Sequence, residues 1–217
     1  MQRWMPTLLL AAAALAVAVL LPAGADPWPP IRPAASRPAD CGGRDAVLLL
    51  DRSGSMAGEG RWQAVRDAVR TATGGLGPDD RLGVVLLGDE AEVARPLSRV
   101  AAPSRVAALL DAVEPGGGTG LEDGLDAAFD LLDGARACRD PRVVLVTDGA
   151  LGDPQDGGPR RRVARAAREG VTLHAVGLGA DEDLLASLAE AGRGTWHAAD
   201  DAADLTDALA SLLDPLS

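Results

Sequence analysis

Asp51-Arg52-Ser53-Gly54-Ser55 sets one carboxylate and two hydroxyls within five residues, directly after an uncharged apolar run. A second apolar run ends in Val146-Thr147-Asp148-Gly149, and a third hydroxyl, Thr119, sits in the glycine-rich stretch Gly117-Gly118-Thr119-Gly120. Two carboxylates and three hydroxyls, with no cysteine or histidine nearby, make an all-oxygen donor set. Such a set suits a hard cation, Mg2+ with Mn2+ as a substitute, and disfavours zinc and copper. The Asp-x-Ser-x-Ser spacing lets a loop turn three side chains inward, and Gly54 permits the close backbone path this needs. Capping offers another use for the same residues, since Asp and Ser favour strand-to-helix turns and Thr119 is placed to cap the stretch that follows it.

The elements that must position these groups alternate in type. Residues 46–50 form an apolar run of the kind buried on both faces of a mostly parallel sheet, with Asp51 at its carboxyl end. Residues 61–73 carry Trp62, Val65, Ala68, Val69 and Ala72 at helical spacing, and Gly74-Gly75 ends that helix. A second strand is expected over 82–87 and, after the turn Gly88-Asp89-Glu90, an antiparallel third over 92–97. Helices follow over 104–113, with Ser104 as N-cap, and over 121–132. Strands at 143–146, 171–176 and 195–197 then alternate with helices at 160–169, 184–190 and 205–213, the pattern of an α/β domain.

Three segments together, Asp-x-Ser-x-Ser at 51–55, Gly-Gly-Thr at 117–119 and Thr-Asp-Gly at 147–149, resemble the signature of von Willebrand factor type A (VWA) domains over roughly residues 45–213. The resemblance implies a doubly wound, mostly parallel six-stranded sheet of order 3-2-1-4-5-6, with strand three antiparallel and helices on both faces. It implies a metal-ion-dependent adhesion site in which Ser53, Ser55 and Thr119 ligate directly while Asp51 and Asp148 bind partly through water. A carboxylate from a partner protein would complete the metal's coordination. The other reading keeps the metal as a fold stabiliser and gives recognition to another surface, such as the helix bearing Arg160, Arg161, Arg162, Arg165 and Arg168.

The order 3-2-1-4-5-6 sets the first and fourth strands side by side. Cys41 lies ten residues before Asp51 and Cys138 ten before Asp148. Level ligands at one end of two adjacent parallel strands therefore bring the two cysteines together at the other, and a Cys41–Cys138 disulfide is expected in an oxidising compartment.

Enzymatic readings fit poorly. A haloacid-dehalogenase-type phosphatase needs a second carboxylate two residues after the first, and Ser53 stands there. A serine hydrolase needs a histidine beside Ser53 or Ser55. The only histidines are His174, expected in the core of a strand, and His197, expected to face solvent. Trp62 and Trp196 read as core residues in a chain with one Phe and no Tyr.

The 217-residue chain has a formal charge of −11, and every basic residue is arginine, which makes nucleic acid and anionic membranes poor partners and excludes lysine chemistry. Asp89, Glu90, Glu122, Asp123, Asp153 and Asp156 should make an acidic rim at the metal end of the sheet. Residues 1–25, with Arg3, an apolar run over 8–21 and Ala23-Gly24-Ala25, read as a cleaved signal peptide, since that run falls short of the roughly 20 residues that cross a bilayer core. Residues 26–40 read as a proline-rich linker and 41–217 as the VWA domain. The expected product is an exported protein, periplasmic or secreted, with no membrane span after cleavage and no catalytic activity.

Overall fold

The apolar run after Arg44 becomes the central strand β1 (Asp45–Asp51), buried at every position because neighbours cover both its faces. It pairs in parallel with β2 (Arg81–Leu87) on one side and with β4 (Arg142–Thr147) on the other. β3 (Glu92–Arg99) returns antiparallel along β2, and β5 (Thr172–Leu178) and β6 (Arg193–Ala199) extend the far side in parallel. The six-stranded order is 3-2-1-4-5-6, with strand three antiparallel, as the resemblance implies. This computed structural model describes residues 42–133, 139–149, 151, 157–179 and 182–214. The expected signal and linker, both cysteines with their disulfide, and Asp153 and Asp156 lie outside the described residues.

Side-chain alternation along the strands feeds two cores. Leu48, Leu50, Val84 and Val146 pack against α1 (Arg61–Thr73), α2 (Pro103–Asp111) and α6 (Ala202–Leu213) through Trp62, Val65, Leu110 and Leu209. Val47, Leu49, Leu87 and Leu145 face α3 (Leu121–Leu131), α4 (Gly158–Arg168) and α5 (Glu182–Ala191) through Leu125, Val163 and Leu188. Trp62 is the core residue its spacing predicts, and its indole N–H donates to the Val113 carbonyl at 3.1 Å. Trp196 is half-buried against the second core.

Several boundaries differ from the sequence reading, each for a local reason. α2 starts at Pro103 with Ala102 as N-cap, not with Ser104 capping, because proline's fixed φ and missing N–H suit the first helical turn. Pro159 likewise draws the start of α4 back to Gly158. Asp201 caps α6 and begins it at Ala202, its Oδ1 accepting the N–H groups of Ala203 and Asp204 at 2.8 and 2.9 Å. The two histidines also depart from expectation: both are half-buried and bridged by Thr195, whose Oγ1 lies 2.9 Å from His174 Nδ1 and 3.0 Å from His197 Nε2. Burial, and after it the Arg142 guanidinium, pushes the His174 imidazole down to about 4.

At the end of the sheet opposite Asp51, charged groups are buried as a network. Asp45 is fully buried and its Oδ1 accepts Arg81 Nε and Arg139 Nε, each at 2.7 Å. Burial would raise this carboxyl, but the hydrogen bonds from Arg81 and Arg139 outweigh it and hold the group below the ordinary range. The Arg44 N–H donates to Asp80 Oδ1 at 2.8 Å while its Nη1 donates to the Leu213 carbonyl at 3.0 Å. Arg142 Nη1 reaches the Leu212 carbonyl at 2.7 Å. Carbonyls that the last turn of α6 leaves without intrahelical donors are thereby satisfied.

Candidate metal centre

Asp51 ends β1 beside Thr147, because Leu50 lies opposite Val146 in the parallel pair. Its side chain is fully buried. One carboxylate oxygen accepts the Ser53 N–H at 2.8 Å and the other accepts the Thr147 hydroxyl at 2.7 Å, while Thr147 Oγ1 accepts the Gly149 N–H at 3.0 Å. Among the described residues no cation pairs with Asp51. A buried carboxylate served only by neutral donors is costly, and a bound cation would offset that cost.

The chain next turns through a short 3-10 segment, Gly54–Ala57, anchored by fully buried Met56. That turn aims Ser53 and Ser55 at one point: their Oγ atoms are 3.0 Å apart, and Ser55 Oγ donates to Asp148 Oδ1 at 3.0 Å. Backbone bonds tie the loop to the glycine-rich connection between α2 and α3, with Gly54 N to Gly117 O at 3.0 Å and Gly116 N to Arg52 O at 2.7 Å. Gly117 has φ +79°, and a Cβ there would fall 2.5 Å from Asp89 Oδ2, so both conformation and space demand glycine. Asp89 Oδ1 in turn accepts the Gly118 N–H at 2.7 Å. The result is a shallow open cleft of about 420 Å3 lined by Ser53, Gly54, Ser55, Gly117, Thr119 and Leu151.

The structure therefore brings Asp51, Ser53, Ser55 and Asp148 into one chain of contacts and sets Thr119 in the wall of the same cleft. No group of three or more His, Cys, Asp or Glu side chains suited to a metal occurs among the described residues, so the donors here must include hydroxyls. Converging oxygen donors around two carboxylates fit a hard divalent cation. Two residues that the motif reading gave no role belong to this site. Thr147 fixes Asp51 through its hydroxyl. Arg61, the first residue of α1, extends Nη1 to the Ser55 carbonyl at 3.2 Å and to within 3.6 Å of Asp148 Oδ2.

The arginines on α4 lie elsewhere and are largely engaged. Arg162 pairs with Glu122 at 2.5 Å and with Asp126 at 2.9 Å, spanning a groove of about 460 Å3 between α3 and α4, and Arg165 pairs with Glu169. His174 pairs in register with Val144, three positions before the strand end that carries Thr147, so neither Ser53 nor Ser55 has a histidine partner.

Carboxylates and hydroxyls gathered at the switch point of a doubly wound sheet define a class of protein, and the comparison with known families agrees. The chain belongs to the von Willebrand factor type A domain family, whose model matches residues 45–211. Domains of this family generally mediate protein interactions. The chain is 25% identical over 150 residues to the uncharacterised protein sll0103 of Synechocystis, covering 68% of this chain and 36% of that one, and so spans about a third of that relative's length. Among solved structures it is similar to a von Willebrand factor type A protein from Catenulispora acidiphila, with 24% identity, a TM-score of 0.69, and coverage of 79% of this chain and 42% of that chain. It is also similar to proximal thread matrix protein 1 from the mussel byssus, solved with zinc in its MIDAS motif, at 23% identity and TM-score 0.65, over 80% of this chain and 46% of that one.

Proposed function

We propose that this domain binds a partner protein through a divalent metal, Mg2+ with Mn2+ as a substitute, held by Asp51, Ser53, Ser55, Thr119 and Asp148. One observation carries the reading. A fully buried carboxylate that pairs with no cation among the described residues ends the central strand, and two serine hydroxyls beside it lead to a second carboxylate in an open cleft. The metal would supply a Lewis-acidic position to which a partner's carboxylate binds. An open cleft favours recognition over a purely stabilising metal, since a site that serves only the fold gains nothing from access. The oxygen set favours Mg2+ over the zinc of the mussel protein.

The residues themselves do the positioning. Thr147 and the Ser53 N–H hold Asp51, Met56 anchors the serine loop, and the Gly54–Gly117 bond keeps Thr119 beside it. With no histidine near Ser53 or Ser55, the site lacks the Ser–His pair of a serine hydrolase, and we assign it binding without catalysis. Residues 1–25 support work outside the cytoplasm, in the periplasm or beyond the cell. Among the described residues no helix is long and apolar enough to cross a membrane.

Thermal unfolding with and without Mg2+ tests the metal, because a ligand bound only to the native state stabilises it by about 2.7 kcal/mol at a hundred times its Kd. Asp148→Ala should lose that gain. A variant that responds to Mg2+ as the parent does would remove Asp148 from the ligand set. Capture of exported proteins from the host on the immobilised domain should then require Mg2+ and fail in chelator. Equal capture in chelator would move recognition to another surface.

A further inference from the structure

We propose that Arg61 is a tethered cation that opposes the divalent metal at Asp148 and thereby sets the metal affinity of the site. The inference rests on the metal-binding reading above. Arg61 follows two successive left-handed residues, Glu59 at φ 55° and Gly60 at φ 71°, which fold the start of α1 back over the Ser55 loop. From there Nη1 donates to the Ser55 carbonyl at 3.2 Å and lies 3.6 Å from Asp148 Oδ2, while Nη2 holds Glu59 Oε2 at 2.7 Å. Asp148 Oδ1 accepts the Ser55 hydroxyl and its Oδ2 faces the guanidinium.

Exposure decides which charges count. The Asp148 side chain is 5% exposed and Arg61 30%, whereas Glu59 is 79% exposed and screened by water. Asp51, Asp148 and Arg61 together leave one negative charge for an incoming ion where the carboxylates alone would offer two. Arg61 also stands at the positive end of the α1 dipole, where a cation is disfavoured, so helix stability does not account for it. Its contacts run to the metal loop. Once a divalent ion is bound, the same guanidinium offsets part of the negative charge of Asp51, Asp148 and the neighbouring Asp89, which favours approach of an anionic partner group.

Titration calorimetry of the whole chain with MgCl2, and separately with MnCl2, reads this directly. Removing a unit positive charge one side chain away from a divalent ion should tighten its binding by about tenfold at low ionic strength, and by less as salt rises. Arg61→Gln and Arg61→Met should both show that gain, Arg61→Lys should stay near the parent, and Arg66→Gln, one turn further along α1, should change nothing. Circular dichroism in chelator checks that each variant is folded. Parent and neutral variants binding within twofold of one another, or the variants binding more weakly, would overturn the role of Arg61 while leaving the metal site intact. A neutral variant that binds when the parent does not would support it most strongly. If neither binds either ion, the metal reading falls and this inference falls with it.

Discussion

Replacing Gly124 with alanine sets two effects of known size against each other. In α3 the change should add about 1 kcal/mol of helix stability, since glycine is the poorest helix former after proline. The structure opposes it, because a Cβ at Gly124 would sit 1.9 Å from Leu87 Cδ2 and 3.3 Å from Leu49 Cδ1. Leu87 and Leu49 are fully buried, so neither methyl has space to turn into. Overpacking of this kind costs about 1–3 kcal/mol, leaving a net effect that runs from about zero to a loss of about 2 kcal/mol. Urea unfolding of parent and variant at unchanged m-value measures it. The decisive comparison is the Leu87→Ala background, which removes the obstructing methyl; there Gly124→Ala should become neutral or stabilising by up to about 1 kcal/mol. An equal loss in both backgrounds, or a gain in the parent, would refute the steric account. Since Leu87 lies opposite Asp51 and α3 follows Thr119, the single variant should also weaken any Mg2+ response.

Two further outcomes follow from groups away from the cleft. His174 stays neutral in the fold down to about 4, whereas the unfolded imidazole takes up its proton near 6.5, so the unfolded state gains protons first as pH falls. Stability should therefore decline between pH 6.5 and 4 more steeply in the parent than in His174→Asn, whose Oδ1 can still accept the Thr195 N–H; parallel curves would mean that His174 does not titrate as described. For the cysteines, denatured and unreduced protein should show no titratable thiol, as a Cys41–Cys138 disulfide requires, and two free thiols would exclude the bond. Gly42 and Arg139, next to each cysteine in sequence, are hydrogen-bonded to one another.

The centre of the sheet was legible because β1 and β4 are apolar runs that lead into aspartates, and because three short motifs fall beside the ends of the elements they were expected to join. Asp51, Ser53, Ser55 and Asp148 could be named because their types and order carry the resemblance to the VWA signature, while spacing by itself left a capping role open. Arg61 could not. Its place depends on two left-handed residues, one of them a glutamate, and nothing in the local pattern of Gly58-Glu59-Gly60 says which way the following helix will face. The histidines misled for a related reason. An alternating strand pattern predicts faces, but not that an edge strand leaves its neighbour half-covered, as β6 leaves His174. Helix starts drifted where proline or an unnoticed aspartate cap set the first turn.

The Arg44 contacts have a mechanical meaning. Chain enters the domain at β1 and leaves it after α6 at the same end of the sheet, and one guanidinium joins that entry to the Leu213 carbonyl. Tension applied through the flanking chain would load this short staple first, and its companion Arg142–Leu212 ties the same helix end to the start of β4. β1 runs seven residues from there to Asp51, about 20 Å of sheet. The cleft therefore lies outside the line of pull, and a domain tethered at both ends could carry load while its binding face stays undistorted.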